Sequence, residues 1–278
     1  MNNEIRTNTE KTGPAALSGL RCLTGSQLKF LGVILMVFDH LHQMFFMFGV
    51  PTWFTWIGRL VAPIFLFMCA EGFHYTRNKG RYMLQLFIGF EFMSIVSPLL
   101  SGALPNADIV LMNNIFGTMF LCAFYMWLTD MLKGGIKAKK PAKIALAVAL
   151  AVLSVLAGFA LISLLGMPAF LENPHSRQLF ALVLMIPNVF LAEGGFPLVI
   201  LGLLFYIFRE KRPVQMAILV AFGLMTLFLT DGAQWMMLFA AIPLLMYNGE
   251  RGKGNKYFFY IFYPAHIYIF YIISCLMR

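Results

Sequence analysis

The chain has 278 residues, 60% of them hydrophobic and 12% charged, with mean hydropathy +0.78 and formal net charge +9. So few polar side chains cannot cover a water-soluble fold of this length, and most of the surface must face lipid. The positive charge is no nucleic-acid footprint, because the Lys and Arg residues fall in short loops and no folded basic domain presents them.

Residues 1–27 are polar and aperiodic and read as a flexible cytoplasmic tail. They contain no evident cleavable leader, so the first helix is expected to serve as an uncleaved anchor. Apolar runs then recur over 28–48, 53–73, 83–101, 112–132, 144–166, 195–208, 214–230, 235–247 and 257–276. Runs of this kind read as membrane helices, and their lack of strict alternation selects helices over a barrel. The expected fold is all-α. It is a polytopic membrane helical bundle of about nine transmembrane helices plus one half-helix, forming a single domain over 28–278.

Orientation follows from the basic loops. Arg6, Lys11, Arg21 and Lys29 precede or open the first span, and Arg77, Lys79 and Arg81 follow the second. Lys133, Lys137, Lys139, Lys140 and Lys143 follow the fourth. Arg209, Lys211 and Arg212, then Arg251, Lys253 and Lys256, mark two later loops of the same side. Only Arg177 and Arg278 fall opposite, which predicts an inside N-terminus and an outside C-terminus. That parity leaves no room for a crossing by 180–192, a short piece containing Pro187. It is expected to be a re-entrant or external half-helix within a long outer segment, 167–195, that is a candidate lid or a plain connector.

Asp39 and His40 stand side by side inside the first span. A titratable group at bilayer depth costs about 3 kcal/mol or more and persists mainly where it faces a protein interior and a partner. At about 1.5 Å per residue, His40 lies about 18 Å from the inner face, Arg59 about 20 Å, and Glu91 and His266 about 14 Å. Four helices thus contribute polar groups to one layer. Asp39 and Arg59 can neutralise each other there, and a neutral imidazole is a competent general base near pH 7. Pro63 and Pro264 free the carbonyls of Arg59 and Tyr260 close to the same layer. Neighbours on a helix point about 100° apart, so Asp39 is expected to fix Arg59 and not to orient His40.

At the cytoplasmic mouth, Glu71, Tyr75, Thr76, Arg77, Lys79 and Arg81 collect charges and hydroxyls near Gly72 and Gly80. Such a loop can hold phosphates through charge-assisted bonds, though it lacks P-loop spacing. Positive-inside topology alone also accounts for its cations. Cys22, Cys69, Cys122 and Cys275 are widely spaced, with neither CxxC pair nor metal spacing, and are read as free thiols; no metal is expected.

The stretches Leu28–Phe30 and Met36–His40 resemble the opening of the TraX family, as do Gly58–Phe65, Glu71–Phe73 and Tyr75–Asn78. Asn113–Phe116 and Phe259–His266 resemble it further along, while the middle third carries little likeness. One member of that family N-acetylates F-type pilin, and the family is similar to the wider group of transmembrane acyltransferases. The resemblance implies acetyl-CoA as a cytosolic co-substrate and a bacterial cytoplasmic-membrane location. It also implies a peptide or glycan acceptor at the outer side and a central catalytic histidine, which falls on His40. Asp39, Arg59, His266 and Glu91 complete the candidate catalytic set, with Arg59 or His266 facing the developing oxyanion; direct transfer and a covalent acetyl-histidine both remain open. A proton-coupled transporter or flippase is the alternative, because midplane titratable groups and broken helices also mark transport paths.

Overall fold

A computed structural model of the protein describes residues 21–254 and 256–277. The tail expected over 1–27 lies outside the described residues as far as position 20. From Leu23 onward the chain is tied into the fold. Helix α1 (Gly25–Phe45) opens with a capping box: Thr24 accepts from the Gln27 amide, and the Gln27 side chain returns to the Thr24 amide at 2.8 Å. The amides of Gly25 and Ser26 have no partner inside the helix. They donate to the carbonyls of Glu250 and Arg251, at 2.8 and 3.0 Å, and Leu23 bridges Tyr247 just outside. The start of α1 is therefore fastened to the loop that precedes the last helix.

The second span is broken into α2 (Trp53–Gly58) and α3 (Val61–Tyr75), with Arg59 and Leu60 between them. Asn78 caps α4 (Lys79–Ala103), followed by α5 (Ile115–Lys137) and α6 (Pro141–Leu165). Short helices α7 (Pro168–Leu171) and α8 (Ser176–Leu184) lead to α9 (Gly195–Ile207) and α10 (Arg212–Leu229). A 3-10 helix, Ala233–Ala240, runs directly into α11 (Ala241–Leu245), and α12 (Lys256–Leu276) closes the bundle. The described residues contain no strand beyond the single bridge at Leu23.

Seven of these helical stretches are long and apolar enough to cross a bilayer. The two remaining apolar runs, expected over 195–208 and 235–247, form the shorter stretches Gly195–Ile207 and Ala233–Leu245. The second gains reach from its 3-10 half: at about 2.0 Å per residue there and 1.5 Å in α11 it extends about 23 Å. The half-helix expected over 180–192 is displaced. α8 stops at Leu184, three residues ahead of Pro187, and 185–194 has no regular structure. Gly194 and Gly195 both have positive φ, +73° and +64°, which turns the chain sharply into α9.

α3 is the central helix, with Ile64, Leu66, Phe67 and Phe73 fully buried between α1, α5 and α9. α6 packs mainly on α5 and leaves Leu153, Leu156 and Phe159 exposed, an apolar face suited to lipid. The basic loops gather at one end of the bundle. The Lys79 ammonium bonds the Asp130 carboxylate near the end of α5, lies 4.2 Å from the Phe73 ring centroid, and reaches Tyr206 at the end of α9.

Candidate active site

A cavity of about 860 Å³ runs through the bundle from the basic end to the polar layer. At the basic end its wall includes Ser26, Lys29, Glu71, Tyr75, Thr76, Arg77, Asn78 and Arg251. At the inner end it includes Asp39, His40, Arg59, Glu193, Gln234 and Tyr263. Gly25 and His40 mark its extent along α1, about 22 Å apart by helical rise.

His40 is 3% exposed and its Nδ1 lies 2.7 Å from Nε2 of His266, itself 5% exposed. Nδ1 of His266 lies 2.7 Å from the carbonyl of Phe262. A carbonyl only accepts, so His266 carries its proton on Nδ1. Neutral His266 then offers Nε2 as acceptor, and His40 must donate from Nδ1. The lone pair of His40 is left on Nε2. The nearest partner of that nitrogen is Nδ2 of Asn113, at a long 3.4 Å, and the Asn113 amide is itself held by reciprocal bonds with Gln43 at 3.0 and 3.1 Å.

Arg59 sits in the break between α2 and α3. Its Nη2 donates to Oδ1 of Asp39 at 2.8 Å, its Nε to the Thr55 carbonyl at 3.3 Å, and its Nη1 to Gln234 at 3.5 Å. A guanidinium has five N–H donors, so two are left over for the cavity that Arg59 lines. The ion pair has room because Gly58 has no side chain: a Cβ there would come too close to the Cβ and carboxylate of Asp39 to fit. Asp39 thus orients Arg59, and His266 orients His40. Both ring nitrogens of His266 are engaged and it does not line the cavity, whereas Arg59 does.

Glu91 is half-buried on α4 and does not line the cavity. Its depth matches the layer but its face of the helix does not. Glu193 occupies the acidic position instead. The Gly194–Gly195 turn folds it inward from the segment expected to be a lid or connector. Its Oε2 accepts from the Asn114 amide at 2.7 Å and the Tyr263 hydroxyl at 3.1 Å, and its own carbonyl accepts from Thr118 at 2.8 Å.

At the basic mouth, Glu71, Tyr75, Thr76 and Arg77 line the cavity, whereas Lys79 and Arg81 do not. Lys79 is committed to Asp130, and Arg81 is exposed, its amide donating to the cap residue Asn78. Glu71 and Tyr247 line this mouth together. Burial, and then the Glu71 carboxylate, push the Tyr247 phenol well above its ordinary range, so it stays a donor. Ser26, Lys29 and Arg251 join this mouth through the α1 loop fastening. Their distance in sequence hid that grouping. Among the described residues no cluster of His, Cys, Asp and Glu is arranged to hold a metal, and the four cysteines are free.

The fold and the chamber define a polytopic membrane protein with a titratable site enclosed in its bundle. Comparison with known proteins narrows this. The family model described as TraX protein matches residues 24–274, and the chain belongs to the TraX family. It is 25% identical over 267 residues to the probable fimbrial assembly protein FimC, serogroup H1, of Dichelobacter nodosus, covering 87% of this chain and 91% of that one. No solved structure matches.

Proposed function

We propose that the protein is an acetyltransferase of the bacterial cytoplasmic membrane, moving an acetyl group from cytosolic acetyl-CoA to an amine or hydroxyl at the outer side. The observation that carries this reading is the single cavity joining a basic mouth to the His40–Arg59 layer. Its volume falls within the usual range for small-molecule sites, about 300–1,000 Å³. Its mouth offers Lys29, Arg77 and Arg251, with the hydroxyl and amide groups of Ser26, Thr76 and Asn78, a donor set suited to phosphates. Family membership and a relative described as a fimbrial assembly protein make a pilin-like chain the first acceptor to test, with envelope glycans next.

In this reading Nε2 of His40 takes the proton of the attacking amine or hydroxyl. The nucleophile bonds to the thioester carbonyl carbon, and the spare N–H groups of Arg59 receive the charge that develops on its oxygen. The carbon–sulfur bond then breaks, and His40 returns the proton to the leaving thiolate. His266 holds the required tautomer throughout, and Asp39 holds Arg59.

Thermal unfolding in detergent with and without acetyl-CoA tests the donor, and transfer of labelled acetyl to envelope material tests the reaction. His40→Ala is expected to keep the acetyl-CoA-dependent stabilisation and to lose transfer. An active His40→Ala variant, or a wild-type protein indifferent to acetyl-CoA, would remove the proposal.

A further inference from the structure

A second cavity, of about 70 Å³, abuts the candidate site on the side away from the basic mouth. Glu193 lines both cavities, and Asn113, which reaches toward Nε2 of His40, lines the second. Two hydrogen-bond acceptors meet at this wall. Nδ2 of Asn114 donates to the Phe90 carbonyl at 3.0 Å and to Ser94 at 3.2 Å. The carbonyl fixes which way the amide points, so the opposite atom is Oδ1, which is buried with no partner. Leaving such an acceptor unmet costs about 1–3 kcal/mol. The Glu193 carboxylate lines the same cavity, its Oε2 held by the backbone N–H of Asn114 and the Tyr263 hydroxyl.

A ligand that meets Asn114 and Glu193 together must be a hydrogen-bond donor. The space suits a group of only a few heavy atoms. The remaining wall leads outward, not toward the basic end: Met112 and Ile186 line the cavity and are 53% and 48% exposed. They sit at the gap between the segment that precedes α5 and the 185–194 segment. We propose that this is the acceptor site. An amine or hydroxyl on an apolar stem enters sideways through the gap, donates to Asn114 Oδ1 and Glu193, and is presented to His40 across Asn113. The inference rests on the acetyltransferase reading and adds to it the acceptor's subsite and direction of entry.

Two measurements on the full chain in detergent test it. Ser97 lines the second cavity, and in Ser97→Cys the new thiol, labelled with methyl methanethiosulfonate against the wild-type background, reports on occupancy. Octylamine is expected to slow that labelling, and glycinamide, which has the amine without the stem, is not. Leu184→Trp narrows the same cavity from the end of α8 and is expected to raise the KM for octylamine as acetyl acceptor about tenfold, equivalent to about 1.4 kcal/mol, while acetyl-CoA-dependent stabilisation is unchanged. Octylamine that fails to protect Ser97→Cys, equal protection by glycinamide, or an unchanged octylamine KM in Leu184→Trp would each overturn the proposed entry. Protection by octylamine in a protein that ignores acetyl-CoA would instead sink the acetyltransferase reading and leave an amine site standing.

Discussion

Replacing His266 separates the orientation of His40 from its chemistry. His266→Ala removes the acceptor of the 2.7 Å bond from His40 Nδ1 and leaves that N–H buried without a partner. The loss is worth about 1–3 kcal/mol against the tautomer that keeps the lone pair on Nε2. A shift of about 2.8 kcal/mol, near the top of that range, is a factor of about one hundred in the tautomer ratio and would take a His40 about ten to one in the productive form to about one to ten. Transfer by His266→Ala is therefore expected to fall about tenfold, with the KM for acetyl-CoA unchanged, because His266 does not line the cavity. His266→Gln puts an amide oxygen within reach of the same N–H and is expected to recover most of the rate. Nitrogen-15 NMR of histidine-labelled protein reads the tautomer directly and should find the His40 proton on Nδ1 in the wild type and a mixture in His266→Ala. A wild-type His40 protonated on Nε2, or a His266→Ala variant transferring at the wild-type rate, would refute the reasoning.

Gly58→Ala forces its new methyl onto Asp39, a strain of about 1–3 kcal/mol, and should lower both the melting temperature and the transfer rate by displacing Arg59. Arg77→Gln and Lys79→Gln should behave oppositely although they are two residues apart. The first should raise the KM for acetyl-CoA with little effect on unfolding, because Arg77 lines the cavity. The second should leave that KM alone and cost about 1 kcal/mol in unfolding, because Lys79 serves a half-exposed pair with Asp130 and a contact with Phe73. Thr24→Ala, which breaks the capping box of α1, should cost about 1 kcal/mol in the same measurement.

The all-α bundle of apolar helices and the depth of its polar groups were legible in the sequence because both depend on local composition, whereas two of the nine expected spans form only shorter helices. Hydropathy marks a span, and a rise of about 1.5 Å per residue places His40, Arg59 and His266 at one level. What a helix faces depends on rotation against its neighbours, which no single span encodes. Glu91 shows the difference: its level is right, yet it lies outside the chamber wall. Lys79 and Arg81 shared a loop with Arg77 and were separated by the direction each takes from the start of α4. Glu193 had a weak signal in its two following glycines, which mark a turn, but nothing in the sequence said that the turn points inward. The grouping of Ser26 with Arg251 rests on hydrogen bonds between segments more than two hundred residues apart.

The departures from regular helix explain why the chamber lies where it does. The break at Arg59 and Leu60 releases the guanidinium toward Asp39. The 3-10 helix brings Gln234 to the other side of that guanidinium. The Gly194–Gly195 turn carries Glu193 in from the opposite direction. Three interruptions from three parts of the chain thus converge on one space. Within a bilayer, backbone that leaves the helical hydrogen-bond pattern is tolerated only where protein or a polar cavity covers it. An isolated break facing lipid would cost several kcal/mol for each unmet carbonyl or amide. Gathering the breaks around one chamber lets the polar cavity meet them, and the same irregularity supplies directions of approach that straight helices cannot give. The Asp39–Arg59 pair is therefore a consequence of a broken helix meeting the continuous α1, whereas the His266–His40 pair joins two continuous helices, α1 and α12, and straightening any one of the three interruptions should disturb the other two before it disturbs the outer helices.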